Sequence, residues 1–113
     1  MMDYEKLDVY KLSLQFIADT LKLRDINHKG KGELVEQFKR ASLSIALNIA
    51  EGAGKFKKPD KQRFYGIARG SAMECAALID IFLIVQSLDS TEANRAKNQL
   101  TQIVKILSAL CLS

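Results

Sequence analysis

Residues 39–74 read KRASLSIALNIAEGAGKFKKPDKQRFYGIARGSAME, and the fold follows from how this stretch divides. Apolar and small residues recur every three or four positions on both sides of a short break, Gly54 to Pro59, which is the pattern of two amphipathic helices joined by a tight turn. Before the break, Leu34, Phe38, Ala41, Ile45, Asn48 and Gly52 keep a spacing of 4, 3, 4, 3, 4, with Val35, Ser42, Ala46 and Ile49 as a flanking row. A helix is predicted there from about Glu33 to Ala53. Its stripe shrinks from Phe38 to Ala, Ser, Asn and Gly, leaving room at that end for a neighbouring backbone or a polar partner. After the break, Pro59 suits the first turn of a helix. Phe64, Ile67, Ala68, Ser71, Cys75, Leu78, Ile79, Phe82 and Val85 then hold helical spacing to about Leu88. Gly66 and Gly70 each cost such a helix about 1 kcal/mol relative to Ala, and glycines four apart imply close packing.

Working outward, the first helix is predicted from a cap at Asp3 to about Arg24. Leu7, Tyr10, Leu14, Ile17 and Leu21 form its inward face, widened by Val9 and Phe16. The segment DINHKGKG, Asp25 to Gly32, has turn composition. His28 lies in it without a second His or Cys at ligand spacing, so it reads as a solvated loop residue rather than a metal ligand. Asp89, Ser90 and Thr91 form a capping turn with Ser90 as the expected cap. The last helix carries Ala93, Ala96, Leu100, Ile103, Leu107 and Leu110 on its stripe. Four amphipathic helices with brief connections predict an all-α fold, an antiparallel up-down-up-down four-helix bundle, as one domain over residues 1–113.

The chain has 113 residues, 48% of them apolar and 27% charged, which is enough to close one core and too apolar for disorder. Cys75 and Cys111 fall on apolar stripes, too far apart in sequence for a zinc motif, and read as reduced core residues. The acidic, amphipathic start lacks the basic and apolar regions of a secretory signal. The most apolar run, from Cys75 to Val85, is interrupted by Asp80 and falls short of the ~20 residues of a membrane span. A cytoplasmic protein without membrane, metal or cofactor is expected.

The formal charge is +4, and it is unevenly spread. Residues 39–69 hold eight Lys or Arg against Glu51 and Asp60, while the segments on either side are each slightly acidic. Lys39, Lys55, Lys57, Lys58, Lys61 and Arg63, with Phe56 and Phe64 among them, are the candidate nucleic-acid-binding residues, since lysines at a hairpin contact phosphates and an exposed aromatic stacks on a base. A plain solvated turn is the competing reading.

A second group, Arg40, Ser44, Asn48, Glu51, Arg69, Ser71 and Glu74, puts polar residues where helices two and three adjoin. Arg63 is the expected counterion of Glu51. One reading is an active site on Glu51 and Glu74 with an arginine clamp. The other is a structural polar network that sets helix register or seals a subunit interface. The second is preferred, because no nucleophile, metal cluster or phosphate loop accompanies the carboxylates.

The motif R-A-S-x-S-I-x-x-N-I-A-E-G-x-G at Arg40 to Gly54, followed by R-F-x-x-I-A-x-G-S-x-x-E at Arg63 to Glu74, resembles the four-helix bundle protein family. That family includes proteins encoded in intervening sequences of bacterial 23S ribosomal RNA genes and the accessory variability proteins of diversity-generating retroelements. Leu7, Val9 and Tyr10 resemble its first helix, with Tyr10 where Trp is usual. The resemblance implies a ring-like homopentamer with a basic surface, and for retroelement members a nucleic acid and a reverse transcriptase as partners. It implies no enzymatic activity, and gives Arg40, Ser44, Asn48, Glu51, Gly52, Arg63, Gly70, Ser71 and Glu74 a packing role between helices two and three. The expectation is a non-enzymatic homo-oligomer binding RNA or an RNA-protein complex. A protein-interaction scaffold without nucleic-acid affinity is the alternative.

Overall fold

The computed structural model describes residues 1–20, 32–85 and 88–113. After a 3-10 turn at Asp3–Lys6 come helices α1 (Asp8–Asp19), α2 (Gly32–Ala53), α3 (Lys58–Ile84) and α4 (Ser90–Leu112). Their order in space follows from which side chains meet. Phe16 of α1 lies 6.1 Å from Phe38 of α2, whereas Tyr4, ahead of α1, lines a groove with Gly54 and Lys55 beyond the other end of α2. Ser44 bonds Ser71, Asp80 bonds Lys97, Arg69 bonds Ser108, and Gln99 reaches back to Asp19. Each helix therefore runs opposite to the next and α4 returns against α1, the up-down-up-down bundle expected. The 45 Å long dimension of the molecule is set by α3, whose 27 residues span about 40 Å at 1.5 Å per residue.

One core runs through the bundle. It joins Phe38, Ile45 and Ile49 of α2, Ala68, Cys75, Ile79 and Phe82 of α3, and Leu100, Ile103 and Leu107 of α4, all essentially without solvent contact. At the end far from the α2–α3 turn, Phe38 makes an edge contact with Phe82 at 5.7 Å. Aromatic pairs of this kind add about 0.5–1.5 kcal/mol beyond their buried area.

The first helix departs from the expected one. Leu7 is extended, with φ −76° and ψ 127°, so the α-helix starts at Asp8 rather than being capped by Asp3. The buried side is Val9, Ser13, Phe16 and Thr20, while Leu14 is 45% exposed and Tyr10 and Ile17 are half-buried. The expected stripe is thus rotated outward. The cause is that two of the inward residues are polar: the Ser13 hydroxyl donates to the Tyr10 carbonyl at 2.6 Å and Thr20 to Phe16 at 2.7 Å, each satisfied within its own helix. Ser42 is buried by the same device, donating to the Lys39 carbonyl. Leu21, the predicted helix end at Arg24 and His28 lie outside the described residues.

Two boundaries also move. α3 ends at Ile84 rather than near Leu88. The cap of α4 is Asp89 and not Ser90: its carboxylate accepts the Glu92 N–H at 2.8 Å, and Glu92 accepts the Asp89 N–H in return, a reciprocal arrangement that satisfies two otherwise orphaned donors. Inside α3, Ile67 is 44% exposed, whereas Tyr65 and Ala72 are buried.

Close helix packing does involve a glycine, but Gly52 rather than Gly66 or Gly70. A Cβ at Gly52 would stand 2.7 Å and 2.9 Å from the Tyr65 ring and 3.2 Å from the Lys61 carbonyl oxygen, while one at Gly66 or Gly70 meets nothing within 4 Å. Burial pushes the Tyr65 phenol above its ordinary value, so this wall of the contact stays neutral.

Gly52→Ala should therefore destabilise the protein by about 1–3 kcal/mol through overpacking, despite alanine's better helix propensity. Gly66→Ala should stabilise by up to ~1 kcal/mol. Urea unfolding separates them, and equal effects would contradict the tight α2–α3 contact. Cys75 offers a second check. Burial first, and the Glu74 carboxylate next, push its thiol up to about 12 from 9.0. Its contribution to stability is complete below pH 9 and is lost as pH rises toward the folded value. A maleimide at neutral pH should label half-buried Cys111 in the folded protein and Cys75 only on unfolding.

Candidate nucleic-acid interface

The α2–α3 turn is held from both sides. As α2 ends, the Gly54 N–H reaches the Ala50 and Glu51 carbonyls and the Lys55 N–H reaches Gly52. Lys61, one turn into α3, reaches back with its Nζ to the Ala53 carbonyl at 3.0 Å and to Gly52 at 3.4 Å. A cation is thereby placed on the last carbonyls of α2, at the negative end of the helix dipole. Pro59 stands in the first turn of α3, and Gln62 donates to the Ser113 carbonyl at 2.9 Å, tying the end of α4 to the same region. From this fixed tip the ring of Phe56 projects with 101% relative exposure.

The six predicted binding residues separate into groups. Lys57 and Lys58 are exposed at the tip and make no ion pair or hydrogen bond with a side chain among the described residues. Arg63 is exposed on the flank, its guanidinium 4.6 Å from the Phe64 ring centroid. Lys55, half-buried, lies 5.1 Å from the same centroid and 3.6 Å from the Glu51 carboxylate. Lys61 is turned inward as the cap of α2. Lys39 is sixteen positions before Lys55 in the chain, roughly 24 Å back along α2, and does not belong to the tip.

The second group separates likewise. Ser44 Oγ and Ser71 Oγ share a hydrogen bond at 2.8 Å, and Asn48 Nδ2 donates to both the carbonyl and the hydroxyl of Ser44 at 2.9 Å. This half-buried cluster bridges α2 and α3, each bond contributing about 1 kcal/mol net. The other four stand apart from it. Arg69 bonds Ser108 on α4 at 2.7 Å. Glu51 pairs with Lys55, not with Arg63, because a lysine one turn on lies nearer than a residue across the hairpin that already rests on an aromatic ring. Arg40 and Glu74 are exposed. With Ser44 level with Ser71, Glu51 lies toward the tip and Glu74 away from it, roughly 15 Å apart along the axis, which is too far for two carboxylates to flank one bond.

Among the described residues no three His, Cys, Asp or Glu side chains converge as a metal site would require, and none of the helices is long and apolar enough to cross a membrane. A groove of about 480 Å³ beside the tip is lined by Tyr4, Leu47, Ala50, Glu51, Gly54 and Lys55. The capping role of Lys61 was legible in principle, since counting back across a hairpin sets position 61 against 52 and 53. The shared use of Phe64 by two cations depends on rotamers that no spacing reports.

The family described as 23S rRNA-intervening sequence protein matches residues 5–109. A crystal structure of a protein with unknown function from the S23 ribosomal protein family of Bacteroides thetaiotaomicron superposes with a TM-score of 0.86, over 93% of this chain and 99% of that one, at 21% identity. This likeness bears on the fold alone. Comparison with curated proteins gives no match.

The capping geometry carries its own test. Lys61→Met keeps the aliphatic stem and removes the charge, and should lower the unfolding free energy by about 1 kcal/mol. Lys57→Met, removing a lysine with no such contact, should stay within about 0.5 kcal/mol. Urea unfolding of the two variants reads both.

Proposed function

The chain belongs to the 23S rRNA-intervening sequence protein family, and from that footing we propose that it is a non-enzymatic, homo-oligomeric bundle protein that binds RNA, or an RNA-protein complex, through the basic tip between α2 and α3. The observation that carries this reading is the pairing of two exposed lysines, Lys57 and Lys58, with a fully exposed aromatic, Phe56, on a turn held rigid by Lys61. Arg63 extends the positive charge along the flank. Phosphates supply the counter-charge that Lys57 and Lys58 do not find among the described residues. The separation of Glu51 from Glu74 supports a role without catalysis.

Self-association is supported by the outer face of the α2–α3 pair. Leu43, Leu47 and Ile67 are 40%, 64% and 44% exposed there, and Gly70 is open to close approach. Arg40, one turn before Ser44, and Glu74, one turn after Ser71, both lie beyond the serine pair on the side away from the tip, level with each other across the seam, exposed and without an ion pair to a described residue. A second copy laid along this face covers the apolar residues and gives both charges a partner. In a closed ring, five copies by the family resemblance, the basic tip repeats around the rim and its weak individual contacts act together.

Filter binding to structured ribosomal RNA tests the proposal. Affinity should fall steeply with salt, in proportion to the phosphates neutralised, and Lys57→Glu with Lys58→Glu should abolish retention while leaving the fold intact. Salt-insensitive binding, or none at low salt, overturns the RNA reading. A partner whose recovery survives nuclease treatment would then favour a protein scaffold. A monomer by light scattering overturns the oligomer.

A further inference from the structure

We infer that the RNA taken at this tip is unpaired, with one base stacked on the ring of Phe56 and the adjoining phosphates held by Lys57 and Lys58. This rests on the RNA-binding reading above and adds the class of ligand. Phe56 is as exposed as a side chain in an extended peptide, so it contributes nothing to the core of its own chain. A solvated turn would be served as well by a polar residue. The backbone that carries the ring is restrained: Lys61 fastens the end of α2 to α3 across the turn, so less main-chain freedom remains to be lost on binding.

The other aromatic at this end cannot serve the same purpose. Phe64 is half-buried and already has Lys55 and Arg63 at its ring, 5.1 Å and 4.6 Å from the centroid. Phe56 is left as the free stacking face, with a lysine on the preceding position and two on the following ones. An A-form duplex stacks its bases on one another and offers a protruding ring no base face. Loops, bulges and single strands splay bases that stack on aromatic side chains. A single protruding aromatic among lysines fits the second kind of RNA.

The chain contains no tryptophan, so Phe56→Trp introduces a single tryptophan at the tip, excited selectively over the three tyrosines. Titration with a short oligouridine should quench it saturably, whereas a duplex RNA of equal length should not. Phe56→Leu should weaken oligouridine binding by roughly 5- to 100-fold and leave the salt slope unchanged. If Phe56→Leu binds oligouridine like the native chain while Lys57→Glu with Lys58→Glu does not bind, stacking is overturned and the RNA reading stands. Equal quenching by the duplex also overturns the preference for unpaired bases. A changed subunit count in Phe56→Leu overturns it too, since the ring would then serve self-association. Failure of the native chain to bind either RNA removes both proposals.

Discussion

The Tyr65 ring occupies the space that a Cβ would take at Gly52, which lets α2 and α3 approach immediately before the turn that joins them. Much else depends on this closeness. It brings Lys61 within reach of the terminal carbonyls of α2, and it sets the register in which Ser44 meets Ser71 two turns further along. A one-turn slip between the two helices would break all three contacts together. The polar bridge and the glycine contact thus specify one alignment, where apolar packing by itself tolerates several.

That alignment also determines which residues face outward. With Ser44 and Ser71 bridging the α2–α3 seam, Arg40 and Glu74 stay exposed, and so do Leu47 and Ile67. Residues that share one sequence motif therefore do different work. Gly52 serves packing, Ser44, Asn48 and Ser71 serve register, and the charged positions remain on the surface. Lysines of the turn divide in the same way, Lys61 inward as a cap and Lys57 and Lys58 outward.

The misread first helix shows where a hydrophobic pattern loses information. Leu14 is apolar and correctly spaced, so the pattern places it inward, whereas Ser13 and Thr20 are polar and the pattern places them outward. A hydroxyl that bonds the carbonyl one turn back hides its own polarity, so the buried stripe contains residues that hydropathy scores as surface. Gly66 and Gly70 misled for a related reason. Spacing marks glycines as possible contact points, but contact requires a neighbour, and in this chain the ring of Tyr65 stands against Gly52 instead.

By itself the sequence determined four amphipathic helices, their alternating direction and the concentration of positive charge between Lys39 and Arg69, because periodicity, short connections and composition are local quantities. Only the tertiary structure decided which lysines remain free, that Gly66 and Gly70 are open while Gly52 is a contact, and where Glu51 and Arg63 find partners. Those outcomes depend on rotation about the helix axes and on rotamer choice at the seam, and neither is encoded in the spacing of residues along the chain.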